Sequence, residues 1–290
     1  MGTAEQSIAL KLIAPAGVAL VGLLLAWAVR RQERFSATVW ALGLVCSLLA
    51  SDQLIRGVST KGLPVDATRW LPHFALLAAA LVFIDYRSWN RWLALGARLA
   101  VSLVLAWKVT SVAEPRWVWM AGIVVISTLG WTLSAIPLPL GYSWLTLGIW
   151  ALTLGLTGGI LTLSGSASLG LVSVSFGIAL GIVALFHMRW RLPAWQSVAG
   201  VMAVTLVALV LSGQQFSELP MSSGVLILLA AHSPLLLHVR ALQRRPVAAV
   251  ATTLAACLLF TGCSAWLAQP VPAAEAPKES SNPYLDLYRK

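Results

Sequence analysis

Charge is what this sequence has least of. Of its 290 residues only 10% are Asp, Glu, Lys or Arg, where soluble domains carry about a quarter. From Trp117 to Met188 there is none at all. A soluble fold is excluded, because nothing in that stretch would hydrate its surface. Cysteine is scarce too: Cys46, Cys257 and Cys263 all fall in apolar runs without a CxxC or other ligand spacing, so neither a disulfide framework nor a cysteine metal site is expected. The four histidines lie at unmatched depths, so His187 and His238 at the ends of their runs do not make a bis-imidazole haem site. No GxSxG surrounds Ser166 to mark a serine hydrolase. No catalytic or cofactor motif stands out, and no cofactor is expected.

What is present is apolar length. The hydrophobic fraction is 59%, and one helical crossing of a bilayer takes about 20 residues. The charge-free block therefore holds three crossings, divided by Pro137–Gly141 and Ser164–Ser168 into spans near 117–136, 143–163 and 169–188. Seven more runs, near 8–29, 35–55, 70–84, 92–112, 196–211, 221–239 and 247–268, bring the expected total to ten. The sequence thus predicts an all-α integral membrane protein with one transmembrane domain, 1–268, and a Pro-, Ala-, Glu- and Ser-rich tail, 269–290, expected to be disordered. The third and eighth spans are the shortest.

The net charge of +10 would point to nucleic acid in a soluble chain. Here the basic residues sit in short connections, so they orient the chain in lipid, and no nucleic-acid partner is expected. Arg30, Arg31, Arg34, Arg87, Arg91, Arg189, Arg191, Arg240, Arg244 and Arg245 fall on one set of connections, and Arg56, Lys61, Arg69 and Arg116 on the other. Ten against four predicts both termini outside, with the first span retained because its charge follows the apolar run. Tryptophans agree: all but Trp131 and Trp150 lie near a span boundary, where amphipathic rings prefer to sit.

Four groups of residues carry candidate roles. Ala151, Gly155 and Gly159 recur every four residues on one span, and Ser173, Gly177 and Gly181 do so on the next. Counted outward from Ser166, Gly159 pairs with Ser173, Gly155 with Gly177 and Ala151 with Gly181, the arrangement of two small-residue ridges that let backbones meet in lipid. Second, Asp52, Arg56, His73, Lys108 and Glu114 share similar depth at one end of spans two to four, with Asp52 and Lys108 the expected ion pair. Arg98 and Lys108 lie within reach of span ends and are expected to snorkel. Third, His232, Ser233 and Pro234 lie mid-span, where proline removes a donor and crowds the Ala230 carbonyl. Interrupted helices at that depth are where many carriers bind solute.

The fourth group is local. Arg244-Arg245, an apolar run, and Thr261-Gly262-Cys263-Ser264 resemble a bacterial lipoprotein signal, with Phe260 where leucine is usual. The resemblance implies lipidation of Cys263 and a bacterial inner membrane, although such signals stand at an N-terminus. In size alone, ten spans in two five-span halves, the chain resembles the drug/metabolite transporter superfamily; no residue motif carries that likeness. A carrier or permease for a small solute is the first functional expectation, with the substrate unspecified. An accessory or scaffolding subunit bound to another membrane protein is the second, favoured by the lack of a mid-span acid. An enzyme acting on a lipid-linked substrate through Asp52, His73 and Lys108 is the third.

Overall fold

The computed structural model describes residues 3–57, 67–86, 91–110, 116–136, 142–190 and 198–269. The Pro137–Gly141 turn, Glu114, Lys61 and the tail from residue 270 onward lie outside the described residues. The described residues are helical, in the order α1 Thr3–Ala28, α2 Glu33–Arg56, α3 Leu71–Tyr86, α4 Arg91–Val109, α5 Arg116–Ser134, α6 Ser143–Leu163, α7 Ala167–Trp190, α8 Ala199–Phe216, α9 Met221–Ala231, the short α10 Arg240–Gln243, and α11 Pro246–Leu267. Eight of them are long and apolar enough to cross a membrane. The helices containing residues 68–82 and 221–231 are apolar but shorter. The eighth run lies a few residues later than its sequence boundary, because α8 continues through Gln214 and Gln215 to Phe216.

Helix α8 is the most enclosed. It packs against α3, α5, α4 and α9, with lighter contacts to α2, α6 and α7. Around it, α1, α2 and α7 form one group, α3, α4 and α5 a second, and α6, α9 and α11 a third. The outward faces are apolar, with Leu10, Leu103, Val125 and Leu259 each at least half exposed, a surface suited to contact with lipid.

Hydrocarbon gives apolar helices no reason to associate, so close backbone contact and hydrogen bonds hold them together. Both are visible here. In the α6–α7 hairpin a Cβ on Gly177 would lie 2.9 Å from the Gly155 nitrogen, and one on Gly181 3.7 Å from the Ala151 Cβ. The seam then leaves the expected ridge. Gly159 is exposed, with nothing within 4 Å of a built Cβ, and Ser173 donates instead to the Leu154 carbonyl at 2.7 Å. Contact passes to Gly158, whose built Cβ would strike Val174 and the Gly170 carbonyl, and to Gly170 against Thr162. The contact residues 151, 155, 158 and 162 alternate steps of four and three, because a helix with 3.6 residues per turn rotates a strict four-residue ridge off its partner. The turn closes as a Schellman cap: Ser166 N–H bonds Leu161 C=O at 2.9 Å, Gly165 N–H bonds Thr162 C=O at 3.2 Å, and Gly165 supplies φ +100°.

A second close crossing joins α1 to α2, where a Cβ on Gly22 would come within 2.5 Å of the Gly43 Cα. Hydroxyls complete it. Pro15 interrupts α1 and leaves the Lys11 carbonyl without its helical donor; Ser175 of α7 donates there at 3.3 Å, and Ser47 of α2 donates to the Pro15 carbonyl at 2.7 Å. Ser51 meets Ser175 at 3.1 Å. Similar links join α4 to α5 through Ser102 and Thr128, and α9 to α11 through Ser223 and Ser264, each of which donates to the other's carbonyl.

The shifted seam is testable by overpacking. Gly177→Val is expected to cost about 1–3 kcal/mol, read as a lower midpoint of thermal unfolding in detergent, whereas Gly159→Val should stay within about 0.5 kcal/mol. Equal effects at the two glycines would show that the ridge keeps its four-residue spacing.

Candidate functional site

Proline decides the local structure of the ninth span. It follows Ser233, and an α-helix continued through it would need a backbone donor toward Ala230 that proline does not have. The structure therefore does not kink there; α9 stops at Ala231, and a six-residue 3-10 helix, Ser233–His238, takes over with Pro234 in its first turn. His232 caps α9, its N–H shared between the Leu228 and Leu229 carbonyls at 3.3 and 3.1 Å. At about 1.5 Å per residue from Met221, the break lies roughly 16 Å along the span, near half the hydrocarbon thickness.

The His232 ring is held from three helices. Nδ1 lies 2.7 Å from the Leu228 carbonyl, and Nε2 lies 3.1 Å from the Gly130 carbonyl and 3.2 Å from Ser134 Oγ, both on α5. Trp150 of α6 meets the ring edge-on at 5.8 Å. Ser134 is also 2.7 Å from the Gly130 carbonyl, to which it donates. A neutral imidazole has one N–H, and a carbonyl can only accept. With that proton on Nδ1 toward Leu228, the shortest contact, Nε2 offers a lone pair. The Ser134 hydroxyl then has one proton for two acceptors, Nε2 and Gly130. The Gly130 carbonyl also receives the Ser134 backbone N–H within α5, so the hydroxyl can serve Nε2 without leaving Gly130 unmet.

Beside it lies a cavity of about 620 Å³ between α5, α6, α8, α9, the 3-10 helix and α11. Its lining includes Gly130, Trp150, Ala203, Val225, His232 and Ser233, and among the described residues no Asp, Glu, Lys or Arg. Ser233 is 4% exposed, and its hydroxyl has no hydrogen-bond partner among the described residues. A second cavity of about 350 Å³ extends toward Gln214 and Met221 and shares Ile126, Val207, Val225 and Leu228 with the first. Both volumes fall within the usual range for small-molecule sites, about 300–1,000 Å³.

The Asp52 group takes a different form from the expected one. Asp52 Oδ1 lies 3.2 Å from Arg56 Nε one turn along α2, with both side chains largely buried. Arg56 also donates to Thr68 at 3.1 Å. Lys108 lies over the Trp70 indole, 4.5 Å from its centroid, and the His73 ring is 5.3 Å from the same indole. The structure thus gathers His73 and Lys108 around one tryptophan and joins Asp52 to Arg56. Arg98 donates to Thr132 of α5 at 3.0 Å. Among the described residues no three His, Cys, Asp or Glu side chains come together as a metal site.

The remaining candidates are placed as follows. His187 bonds Ser143 through Nε2 at 2.7 Å and stacks on Trp40 with ring centroids 6.0 Å apart. Cys263 is exposed on α11, and Cys257 is buried 3.6 Å from Thr153. Sequence reasoning missed Gly130, Ser134 and Trp150 as partners of His232. A signal for one was present: Trp150 and Trp131 are the two tryptophans away from span boundaries, and Trp131 packs at Gly200 on α8 beside the same region. Compared with protein families, curated proteins and solved structures, the chain matches none.

The Asp52–Arg56 pair can be weighed directly. Removing one charge of a largely buried ion pair is destabilising, so Asp52→Asn is expected to lower unfolding stability by up to about 3–5 kcal/mol. Combining it with Arg56→Met should cost at least about 1 kcal/mol less than the sum of the single changes. Strict additivity would mean that the two side chains do not act as a pair.

Proposed function

We propose that this chain is a carrier-like membrane protein that binds a small, uncharged solute in the cavity at the α9 break. The observation that supports this reading most is the join of three features at one place: a helix interrupted mid-span, a cavity of about 620 Å³, and the buried, unpartnered Ser233 hydroxyl beside His232. Broken helices expose backbone acceptors where a membrane helix otherwise has none, and midplane breaks commonly form solute sites. Among the described residues the lining carries no charge, and burying an ion there without a counter-charge would be costly. A neutral solute suits that lining.

The topology that goes with this reading is ten crossings with both termini outside, the two shorter apolar helices completing the set. The basic residues favour it, ten against four, as do the lengths of the two short segments: α9 and its 3-10 extension together reach about 28 Å at 1.5 and 2.0 Å per residue. A bacterial inner membrane fits the lipoprotein-like stretch at Cys263. In a cysteine-free background in intact cells, single cysteines at Ser59, Ser166, Glu218 and Ser280 should all react with an impermeant thiol reagent from outside. Protection of Ser280 with labelling of Ser59 would remove one crossing and put the C-terminus inside.

Flux tests the activity. With the purified protein in vesicles, His232→Ala and Ser233→Ala should each lower uptake of a neutral solute by roughly 2- to 10-fold per lost hydrogen bond. Both variants should remain monodisperse on size exclusion, since the glycine crossings and the serine bonds between the other helices stay in place. Wild-type uptake no faster than protein-free vesicles, across a panel of neutral solutes, would overturn the carrier reading.

A further inference from the structure

The carrier reading leaves the solute's chemistry and its route open, and both are constrained by what borders the cavity. Helices α5 and α9 each pack on α8, and the two cavities lie one after the other between them. The floor is buried α8 surface, with Ala203, Leu206 and Val207 no more than 3% exposed. The rims are different. Leu129 of α5 is 54% exposed, and Val225 and Leu229 of α9 are each 47% exposed. These apolar rims belong to the outer surface that faces hydrocarbon, so the groove opens sideways into the bilayer.

We propose that the occupant is a lipid-soluble molecule with a single hydroxyl-type group on an apolar body, which enters laterally between α5 and α9 and places that group at His232 and Ser233. This deepens the reading of the same site given above and rests on it for the direction of movement only. The chemistry follows by elimination. A charged or many-hydroxyl solute would lose its hydration in both cavities, whose linings hold no charged side chain among the described residues. A pure hydrocarbon fits the walls but leaves the Ser233 hydroxyl unsatisfied. One hydroxyl corrects this deficit, since it can accept from or donate to the Ser233 hydroxyl. The second cavity then holds the apolar body, which runs along α8 toward Gln214.

Hydrophobic fit alone discriminates weakly, and a site that hydrogen-bonds a hydroxyl rejects the analogue without it more strongly. Photolabelling reads this without requiring flux. The full chain in phosphatidylcholine vesicles is labelled with a diazirine-bearing hexadecanol and challenged with hexadecanol, hexadecane or the hexadecyltrimethylammonium ion. Label is expected on the α5 and α9 segments that hold Leu129 and Val225. Hexadecanol should compete roughly 2- to 10-fold better than hexadecane, and the ammonium ion should compete less well than either. Ser233→Ala combined with His232→Ala should erase the preference for the alcohol. Val225→Trp should cut labelling severalfold, while Leu171→Trp on the exposed side of α7 leaves it unchanged.

Equal competition by hexadecane and hexadecanol on the wild-type chain would overturn the proposal and mean that ordinary acyl chains fill the groove; that comparison needs no variant to fold. Label spread over α1, α4 and α7 in proportion to their exposed surface would overturn it equally, and so would effective competition by the ammonium ion. The two readings fail separately. Selective labelling without flux removes the carrier and leaves the hydroxyl site, whereas flux of a water-soluble neutral solute that is unaffected by Val225→Trp keeps the carrier and removes the lateral route.

Discussion

In hydrocarbon, a helix gains nothing by hiding leucines from lipid, so a fold there depends on how closely backbones can approach. This chain meets that condition with two glycine crossings, Gly22 on Gly43 and Gly155 on Gly177. Where the backbones touch, dispersion contacts multiply and short hydroxyl side chains reach carbonyls on the neighbouring helix. Ser47, Ser173, Ser223 and Ser264 all do so. Apolar length decides that the segments are helices; small residues and hydroxyls decide which ones are neighbours.

Two prolines inside apolar spans, Pro15 and Pro234, illustrate how context converts one chemical defect into different structures. Pro15 removes a donor from α1, and the freed Lys11 carbonyl is taken by Ser175 of α7, so the helix continues and gains a tether. Pro234 removes a donor from the ninth span, and the helix ends, with His232 turning its ring back to the Leu228 carbonyl. The first proline lies under a close three-helix contact. The second is buried in a segment that packs on α11 and α6, with Ser233, Leu235 and Leu236 around it bordering the cavity.

Much of this was legible in the sequence, for physical reasons that also mark where legibility stops. Long charge-free runs translate directly into helices, and the Ser164–Ser168 turn signal resolves into a glycine-dependent cap at Gly165. The pairing of Gly155 with Gly177 follows from counting outward around that turn. Gly159 does not follow, because a spacing of four drifts around a helix of 3.6 residues per turn, and only the partner surface reveals where the seam steps to Gly158. Pro234 signals an interruption but not its form. The partners of His232 could not be read at all: Gly130, Ser134 and Trp150 come from other helices, and no local pattern encodes which helices meet. Asp52 illustrates the same limit, since a partner one turn away, Arg56, was available on its own helix.

The location of the break also bears on what can move. Helix α8 is fixed from several sides: Gly200 accepts the Trp131 ring, Gly213 accepts Leu161 and Leu219, and its Gln214 and Val210 side chains fill the notch at Gly224 of α9. Displacing it would disturb contacts in all three helix groups at once. The 3-10 segment after α9 lacks such constraints on its cavity side, and its i to i+3 hydrogen bonds are poorer than those of an α-helix. Its sequence lies between two anchored parts, α9 held to α11 through Ser223 and Ser264, and α10 with Gln243 bonded back to the Leu237 carbonyl at 3.1 Å. The short stretch from His232 to Val239 is therefore where repacking costs least, while α8 forms the fixed wall of the cavity.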